Sequence, residues 1–288
     1  MKKYSAFIRY ALFLVLIATT NPAYTASLYS ITASAGVMVD DNLTRAQYER
    51  DIYDDRALFA GIAGDYTYVV SGRSRVVLSA AAESWHYNEA NLDHQTISIK
   101  GEYFFQPAAG FTAPWYSTTL VLGLMPYEGN YRDASFHEIG LNVGKRLTDT
   151  TALLAGLNHQ QTSAEVDIFT RTTARVFVNL DFKFNLNTVY STLAYSSGDF
   201  NSTNTPPRPP SLFSLPWLTP NDDVAFPGLT NSWTYKLDAN TWSFQLGYVY
   251  ALASNQSIDA SALYYTTAAY GDNDYDGIIT TLSYLYRF

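Results

Sequence analysis

Apolar and polar residues alternate along most of this chain, beginning at Leu28. In the first segment the apolar set is Tyr29, Ile31, Ala33, Ala35, Val37 and Val39, interleaved with Ser30, Thr32, Ser34, Gly36 and Met38. Successive side chains of a β-strand point to opposite faces, so this period of two predicts a strand with one apolar face.

The same pattern recurs in segments of about ten residues or more, which is the length that a tilted strand needs to cross a membrane. It predicts twelve strands, at residues 28–39, 57–70, 74–87, 94–106, 114–126, 135–147, 151–162, 169–184, 188–198, 238–252, 257–270 and 277–288. An even number of antiparallel strands returns both termini to the same end of a barrel.

The predicted connections fall into two alternating classes. Residues 71–73, 107–113, 148–150, 185–187 and 254–256 are short links, whereas 40–56, 88–93, 127–134, 163–168, 199–237 and 271–276 are mostly longer or more acidic. Transmembrane barrels have short turns at the periplasmic end and longer loops outside. We therefore predict an all-β fold, a single transmembrane antiparallel up-and-down β-barrel of about 12 strands.

Composition favours the same class. Charged residues make up 15% of the chain and aromatic residues 16%, including 24 Tyr, whereas soluble domains average about 25% charged residues. No segment after residue 20 has the run of about 18 apolar residues that a transmembrane helix requires. A secreted β-sandwich would also show alternation, but its strands are usually nearer five or six residues long.

The N-terminus is typical of a secretory signal peptide. Lys2, Lys3 and Arg9 precede an apolar core from Ala11 to Ala18, a run too short to span a bilayer comfortably as an uncleaved anchor. We predict a signal peptide at 1–26, cleaved between residues 23 and 27, followed by a barrel at 27–288. The chain has no cysteine, so disulfides and thiolate metal sites are excluded.

Charge limits the choice of partners. The segment 1–26 carries three basic and no acidic residues, so its removal leaves 15 basic against 26 acidic side chains, a net charge of −11. An acidic chain of this kind is not expected to bind nucleic acid.

The last strand carries Tyr284, Tyr286 and Phe288 at alternate positions, with Phe288 as the final residue. With the signal peptide and the even strand count, this ending resembles Gram-negative outer-membrane proteins across the whole mature chain. The resemblance implies a bacterial outer-membrane location and contact with membrane lipid and lipopolysaccharide. It also implies that the barrel assembly machinery recognises these three residues as an assembly signal.

The alternation assigns a polar face to each strand, and that face should be the lumen, because an Arg or Lys facing lipid at mid-depth costs about 2–4 kcal/mol. The predicted lumen residues are Arg75, Glu83, Lys100, Glu102, Glu138, Arg146, Arg171, Arg175, Asp181, Lys183 and Asp259. Two interpretations stay open. The charges either pair and fill a narrow barrel, or they line a pore in which opposed charges orient polar solutes.

The long connection at 199–237 is rich in proline and also contains large apolar residues. Disordered loops usually lack such residues, so we expect a folded extracellular loop that constricts the barrel mouth or docks a partner. The candidate constriction residues are Leu212, Phe213, Trp217, Phe226 and Trp233.

The stretch GDNDYDG at 271–277 places carboxylates at Asp272, Asp274 and Asp276. This spacing matches the first half of a calcium loop, but Ser283 stands where the loop requires a bidentate Glu. An acidic hairpin tip explains the stretch equally simply, because Asp and Gly are ordinary turn residues. No other cofactor is expected, and any bound Ca²⁺ should be weak.

The function favoured by these patterns is a porin-like channel for small polar solutes, constricted by loop 199–237. A first alternative is a non-catalytic export component, since VMVDDNLTRA at 37–46 resembles the first strand and loop of barrels that export surface proteins or polysaccharide. A second is a lipid hydrolase, because Ser135 and His137 share one face. Outer-membrane phospholipase has His before Ser, the reverse of the order here, so we expect no enzyme.

Overall fold

The computed structural model describes residues 28–129, 132–205, 218–220 and 225–288. The predicted signal peptide lies outside the described residues, as do Leu212, Phe213 and Trp217. No helix in the described ranges is long and apolar enough to cross a membrane.

Twelve long strands form the wall, and a thirteenth, short strand lies within the longest connection. The strands are β1 (Tyr29–Asp40), β2 (Asp55–Ser71), β3 (Ser74–Tyr87), β4 (His94–Phe105), β5 (Trp115–Met125), β6 (Ala134–Arg146), β7 (Thr151–Ala164), β8 (Arg171–Phe184), β9 (Asn187–Asn204), β10 (Leu218–Pro220), β11 (Trp233–Ala253), β12 (Gln256–Ala269) and β13 (Tyr275–Arg287). Two 3-10 turns, Glu49–Asp51 and Asp167–Phe169, lie in the connections.

Every long strand pairs antiparallel with both of its neighbours, which closes the sheet into a barrel. β9 pairs with β11, and β13 pairs with β1, where Val37 faces Leu282. The short β10 pairs with β11 outside this ring. Closure removes the unpaired edges that an open sheet would leave at its first and last strands. The predicted twelve-stranded all-β barrel is confirmed.

Four of the five connections at one end have two to four residues, the exception being 106–114, whereas those at the other end have five or more. The barrel therefore has a short-turn end, where β1 begins and β13 ends, and a long-loop end. The main difference from the prediction lies around the longest connection, which spans 205–232 and not 199–237. Residues 199–204 continue β9 and pair with residues 233–238 of β11. Polar residues dominate 199–204, so backbone hydrogen bonding alone defines that part of β9 as strand. Residues 233–238 of β11 do alternate, with Trp233, Tyr235 and Leu237 on one face.

The outer face is a belt of exposed apolar side chains. It includes Leu58, Ile62, Leu78, Ile99, Leu120, Leu141, Leu157, Val176, Leu193, Phe244, Leu246 and Leu282. In water such a surface would be unfavourable, whereas in a bilayer it contacts acyl chains. The belt therefore identifies the lipid-facing side of the barrel and, by alternation, its interior.

Large rings on the inner face pack against glycines of the neighbouring strand. The Tyr190 ring lies beside Gly247, where an added Cβ would come within 2.1 Å of the ring. The same relationship joins Phe59 to Gly36, Phe136 to Gly123, Trp115 to Gly144 and Phe177 to Gly156. Because glycine has no side chain, each ring can lie along the wall in the space above the glycine. Less of the ring then projects across the interior.

Candidate functional site in the barrel interior and at its mouth

Strand register places all eleven predicted lumen residues on the inner face. Glu83 faces Thr96, Lys100 faces Ser79, Glu138 faces Gln160, Arg175 faces Asn158, and Asp259 faces Val249. Arg75, Glu102, Arg146, Arg171, Asp181 and Lys183 have the same parity in their strands. The eleven residues therefore lie on the side of the wall opposite the apolar belt, and their role in lining a pore stays a prediction.

Few of these charges neutralise one another by contact. In the described part of the chain, the eleven form one ion pair, with Lys100 Nζ 3.3 Å from a carboxylate oxygen of Glu102. Arg171 and Arg175 have no carboxylate within 4 Å among those residues. The inner wall is therefore not the packed ion-pair network of the first interpretation.

Neutral donors hold several of the inner carboxylates instead. Glu138 accepts a hydrogen bond from Asn158 Nδ2 at 3.1 Å, and Asp259 accepts one from the Tyr190 hydroxyl at 3.0 Å. Asp65 accepts from Ser79 at 2.6 Å, and Glu83 accepts from Trp85 Nε1 at 3.2 Å. These bonds orient the carboxylates but leave their charge uncompensated.

A cavity of about 230 Å³ lies on the inner wall where β6 to β9 adjoin. Glu138, Arg171 and Arg175 line it together with amide and hydroxyl side chains. The Arg175 guanidinium carbon lies 5.6 Å from the centre of the Phe177 ring. An acid and two guanidinium groups facing one space can hold a polar solute in a defined orientation.

At the long-loop end, the connection 41–54 folds inward around Arg45, whose φ is +54°. Arg45 donates two hydrogen bonds to the Asp40 carboxylate, of 2.7 and 2.9 Å, and another to the Tyr265 hydroxyl. Burial alone would lower the pKa of Arg45, but the hydrogen bond and charge of Asp40 outweigh it and raise the pKa above its ordinary value. Arg45 is therefore a permanent cation at the mouth.

Hydrogen bonds tie this loop to distant parts of the wall. Ser202 Oγ donates to the Arg45 carbonyl oxygen at 2.7 Å, and the Thr203 N–H donates to the Thr44 carbonyl oxygen at 2.9 Å. Asn42 Nδ2 donates to the Asp276 carbonyl oxygen at 3.0 Å. Three strands separate β1 from β9 around the wall on this side, so the loop crosses that part of the opening.

An apolar cluster lies at a second part of the mouth. Phe226, which is only 4% exposed, packs with Ala225, Ala90 and Leu92. The partly buried residues against this cluster are Leu43, Tyr53, Tyr87 and Leu229. The Asn91 N–H donates to the Ala225 carbonyl oxygen at 2.9 Å. The C-terminal part of the longest connection is thus docked on the 41–54 and 88–93 loops.

The remaining predicted site residues are spread more widely. Phe226 is buried as described, whereas Trp233 is half-buried at the start of β11 beside Tyr235 and Leu237. On β13, Tyr284 and Phe288 lie on the outer face with Tyr286, and the Phe288 N–H donates to the Ile31 carbonyl oxygen at 2.9 Å. The assembly role of that strand stays a prediction.

The calcium candidate gains no support from the arrangement of its carboxylates. Asp272 has a φ of +55° in the turn, and Asp276 lies on β13 opposite Thr266. Within the described ranges, no three His, Cys, Asp or Glu side chains converge closely enough to hold a metal ion.

The hydrolase candidates do not form a catalytic arrangement. Ser135 and His137 lie on the outer face of β6, opposite Ser163 and Gln161 of β7. Counting only residues that the structure describes, His137 has no carboxylate within 4 Å. A serine nucleophile needs a base that a third group orients, and no carboxylate of the described residues orients His137.

The sequence pattern did not identify the buried residues that join the connections at the mouth. The buried polar side chains there include Asp40, Asn42, Thr44, Asp51, Ser202, Thr203, Asn204, Thr234 and Asn273. Short polar residues crowd both contributing segments, DDNLTRA at 40–46 and NSTNT at 201–205. Such stretches are ordinary in exposed loops, so their burial could be found only from contacts between segments.

Comparison with known proteins supports the fold. No protein-family model matches the sequence, and no curated protein matches it either. An outer membrane channel from Pseudomonas putida F1 has a similar structure, with a TM-score of 0.62 at 10% identity over 93% of this chain and 100% of that one. This likeness confirms the expected fold, that of a bacterial outer-membrane β-barrel.

Two other solved barrels are similar more loosely. The KdgM porin matches with a TM-score of 0.43 at 9% identity, over 89% of this chain and 99% of that one. Outer membrane phospholipase A from Escherichia coli matches with a TM-score of 0.45 at 7% identity, over 88% and 95%. At these scores neither resemblance bears on function.

Proposed function

We propose that this barrel is a channel for small polar solutes, closed at its long-loop mouth by two docked segments. The structurally similar Pseudomonas putida protein is an outer membrane channel, and the proposal agrees with that description. The support specific to this chain comes from its own inner wall and mouth.

The observation that carries the proposal is that opposite charges of the inner wall face one shared space without contact. Arg171 and Arg175 share a cavity of about 230 Å³ with Glu138, and no carboxylate of the described residues lies within 4 Å of either guanidinium. A charge that is neither paired nor hydrated is too costly to bury. The groups must therefore face water or a polar solute, as in a conducting lumen.

The mouth supplies the constriction. The 41–54 loop and the segment 225–229 meet through Leu43, Tyr53 and Phe226, with the Tyr53 and Phe226 ring centres 5.5 Å apart. The sequence predicted a constriction from the longest connection alone. We now propose that the first loop shares that role, so that both segments must move for the channel to conduct fully.

Single-channel recording in planar lipid bilayers tests the proposal. We expect low conductance from the intact protein and higher conductance after residues 206–227 are replaced by a Gly-Ser bridge, since no long barrel strand is removed. Silence from both proteins, despite folded and inserted barrels, would reject the channel. Phospholipid hydrolysis that His137→Ala abolishes would instead establish the hydrolase.

A second variant separates the lumen from the mouth. Arg175→Ala should shift the ion preference of the open channel toward cations while changing the free energy of unfolding by less than about 1 kcal/mol, because no close partner is lost. Arg175→Lys keeps the charge and is the matched control. A large loss of stability with unchanged selectivity would show that Arg175 is a packing residue.

A further inference from the structure

The short-turn end holds a second cavity, of about 600 Å³, at the opposite end of the barrel from the closed mouth. Three arginines line it, Arg73 in the β2–β3 turn, Arg75 on β3 and Arg146 at the end of β6. The aromatic rings of Phe104, Phe111 and Trp115 line it as well. We call this space the arginine–aromatic cavity.

Two of its three guanidinium groups, those of Arg75 and Arg146, lie over rings of the lining. The Arg75 guanidinium carbon lies 4.4 Å from the centre of the Phe104 ring, and that of Arg146 lies 4.8 Å from the centre of the Phe111 ring. Stacking over a ring face fixes the plane of a guanidinium and leaves its N–H edge available for hydrogen bonds. Arg75 and Arg146 are therefore oriented before any ligand arrives.

The aromatic wall is fixed by packing. Trp115 lies against Gly144, where an added Cβ would come within 2.1 Å of the indole, and its ring centre is 5.5 Å from that of Phe104. The backbone at Gly144 thus forms part of the surface on which the indole rests.

The loop that carries Phe111 is tied down as well. Gln106 Nε2 donates to the carbonyl oxygens of Gly110 and Ala113 at 3.4 and 3.2 Å, and the Gln106 N–H donates to the Arg73 carbonyl oxygen at 2.8 Å. The last of these bonds joins the loop to the β2–β3 turn, so two neighbouring connections form one wall.

The positive charge of the cavity is not neutralised nearby. Within the described part of the chain, no Asp or Glu lines the cavity, and no carboxylate lies within 4 Å of Arg73, Arg75 or Arg146. Glu102, on the inner face of β4, is paired with Lys100 at 3.3 Å. Three uncompensated arginines in an acidic protein create a local site of positive potential.

We propose that the arginine–aromatic cavity binds organic anions in which a carboxylate is joined to an apolar body. Guanidinium edges match a carboxylate in a bidentate arrangement, and the rings provide an apolar surface beside it. The volume lies within the range of about 300–1,000 Å³ that is typical of small-molecule sites. An inorganic anion would use the arginines but not the rings. Binding here does not depend on conduction through the barrel.

Isothermal titration of the full-length mature barrel in lipid nanodiscs tests the proposal, with hexanoate as the probe. Acetate provides the charge without the apolar body, and 1-hexanol provides the body without the charge. We expect hexanoate to bind at least about tenfold more tightly than either, with an affinity that falls as salt is raised. Equal affinity for hexanoate and acetate would reject the apolar half of the site, and equal affinity for hexanol would indicate partition into lipid.

Variants locate the binding. Arg75→Gln combined with Arg146→Gln should weaken hexanoate binding by about tenfold or more, whereas Arg287→Gln should not change it. Arg287 is an exposed arginine at the same end of the barrel but outside the cavity. Tryptophan fluorescence, to which Trp115 contributes, should change when hexanoate is added to the intact protein and not when it is added to the double variant. Unchanged binding by a folded double variant would overturn the proposal.

Discussion

Arg45 donates two hydrogen bonds to the carboxylate of Asp40, at 2.7 and 2.9 Å. Asp40 is the last residue of β1 and is 1% exposed, so this contact joins the end of a barrel strand to the loop that crosses the mouth. The fork of a guanidinium matches a carboxylate in geometry as well as in charge. The contact therefore fixes both the position and the direction of the 41–54 loop.

Arg45→Ala should release that loop while leaving the barrel folded. Asp40 would remain buried without its cation, a situation that costs about 1–3 kcal/mol or more, and the loop would relieve the cost by moving away from the wall. We expect faster limited proteolysis between residues 41 and 54 and a higher single-channel conductance, with unchanged heat modifiability.

Arg56→Ala is the matched control for that experiment. Arg56 is an exposed residue of β2 close to the same loop, and its hydrogen bonds to Asp55 and Asn88 are made by its backbone. If both variants were cleaved at the rate of the intact protein, Arg45 would not be what holds the loop.

The barrel could be predicted from the sequence because its wall depends on a local rule. Alternation at residues such as Val176 and Val178 fixes which face meets lipid, and a membrane makes that rule strict. Beyond the membrane the outer face no longer has to be apolar, so the rule does not apply there. Residues 199–204 of β9 extend the wall without any apolar alternation, and so the prediction ended the strand at 198.

The mouth follows no such rule. Phe226 was expected to dock because an apolar residue gains by leaving water, but nothing near it in the chain indicates Ala90 and Leu92 as its partners. Arg45 and Asp40 are only five residues apart, yet their contact requires a backbone reversal with positive φ at Arg45. Contacts of this kind depend on how the loops are arranged in three dimensions, and the alternation of apolar and polar residues does not predict them.

Phe226→Ala should undock the end of the longest connection. Replacing a buried Phe by Ala typically lowers stability by about 3–5 kcal/mol. A loss of that size should exceed the stability of a small surface cluster, so we expect this segment to open locally while the barrel stays folded. Hydrogen exchange at the Asn91 amide, which donates to the Ala225 carbonyl oxygen at 2.9 Å, should accelerate by an order of magnitude or more.

The control for Phe226 is Leu186→Ala, in a short turn at the other end, where Leu186 is largely exposed. The rate of hydrogen exchange at the Asn91 amide should be the same in Leu186→Ala as in the intact protein. Protection of Asn91 that survives Phe226→Ala would mean that backbone pairing, and not the ring, holds the segment.

Phe288→Asp should impair insertion. Phe288 is 73% exposed on the outer face, and its ring meets that of Tyr286 edge-on at 4.7 Å. A carboxylate at this position would face the lipid interface and would remove the last of the alternating aromatics. We expect several-fold less heat-modifiable protein in outer-membrane fractions, while Phe288→Tyr, which keeps the ring, should insert normally. Equal amounts of the Asp variant and the intact protein would contradict the assembly role.

Gly247→Ala should lower stability through Tyr190. The added Cβ would come within 2.1 Å of the Tyr190 ring, and a ring that moves away also leaves the Asp259 carboxylate, to which its hydroxyl now donates at 3.0 Å. Overpacking of this kind costs about 1–3 kcal/mol. Urea titration of the barrel in lipid should show that loss, and the displaced ring should also reduce conductance.

Removing the Tyr190 ring should cancel most of the destabilisation that Gly247→Ala causes. Tyr190→Ser loses the ring's packing and its bond to Asp259, so by itself it should be destabilising. Added to this variant, however, Gly247→Ala should cost little, because the Cβ then meets empty space. The coupling energy of this double-mutant cycle should be about 1–3 kcal/mol. Gly72→Ala, where an added Cβ has nothing within 4 Å, controls for the backbone effect of replacing glycine. If the two substitutions had additive effects on the free energy of unfolding, the position of the Tyr190 ring would not depend on Gly247. The glycine–aromatic contacts would then not determine the inner shape of the wall.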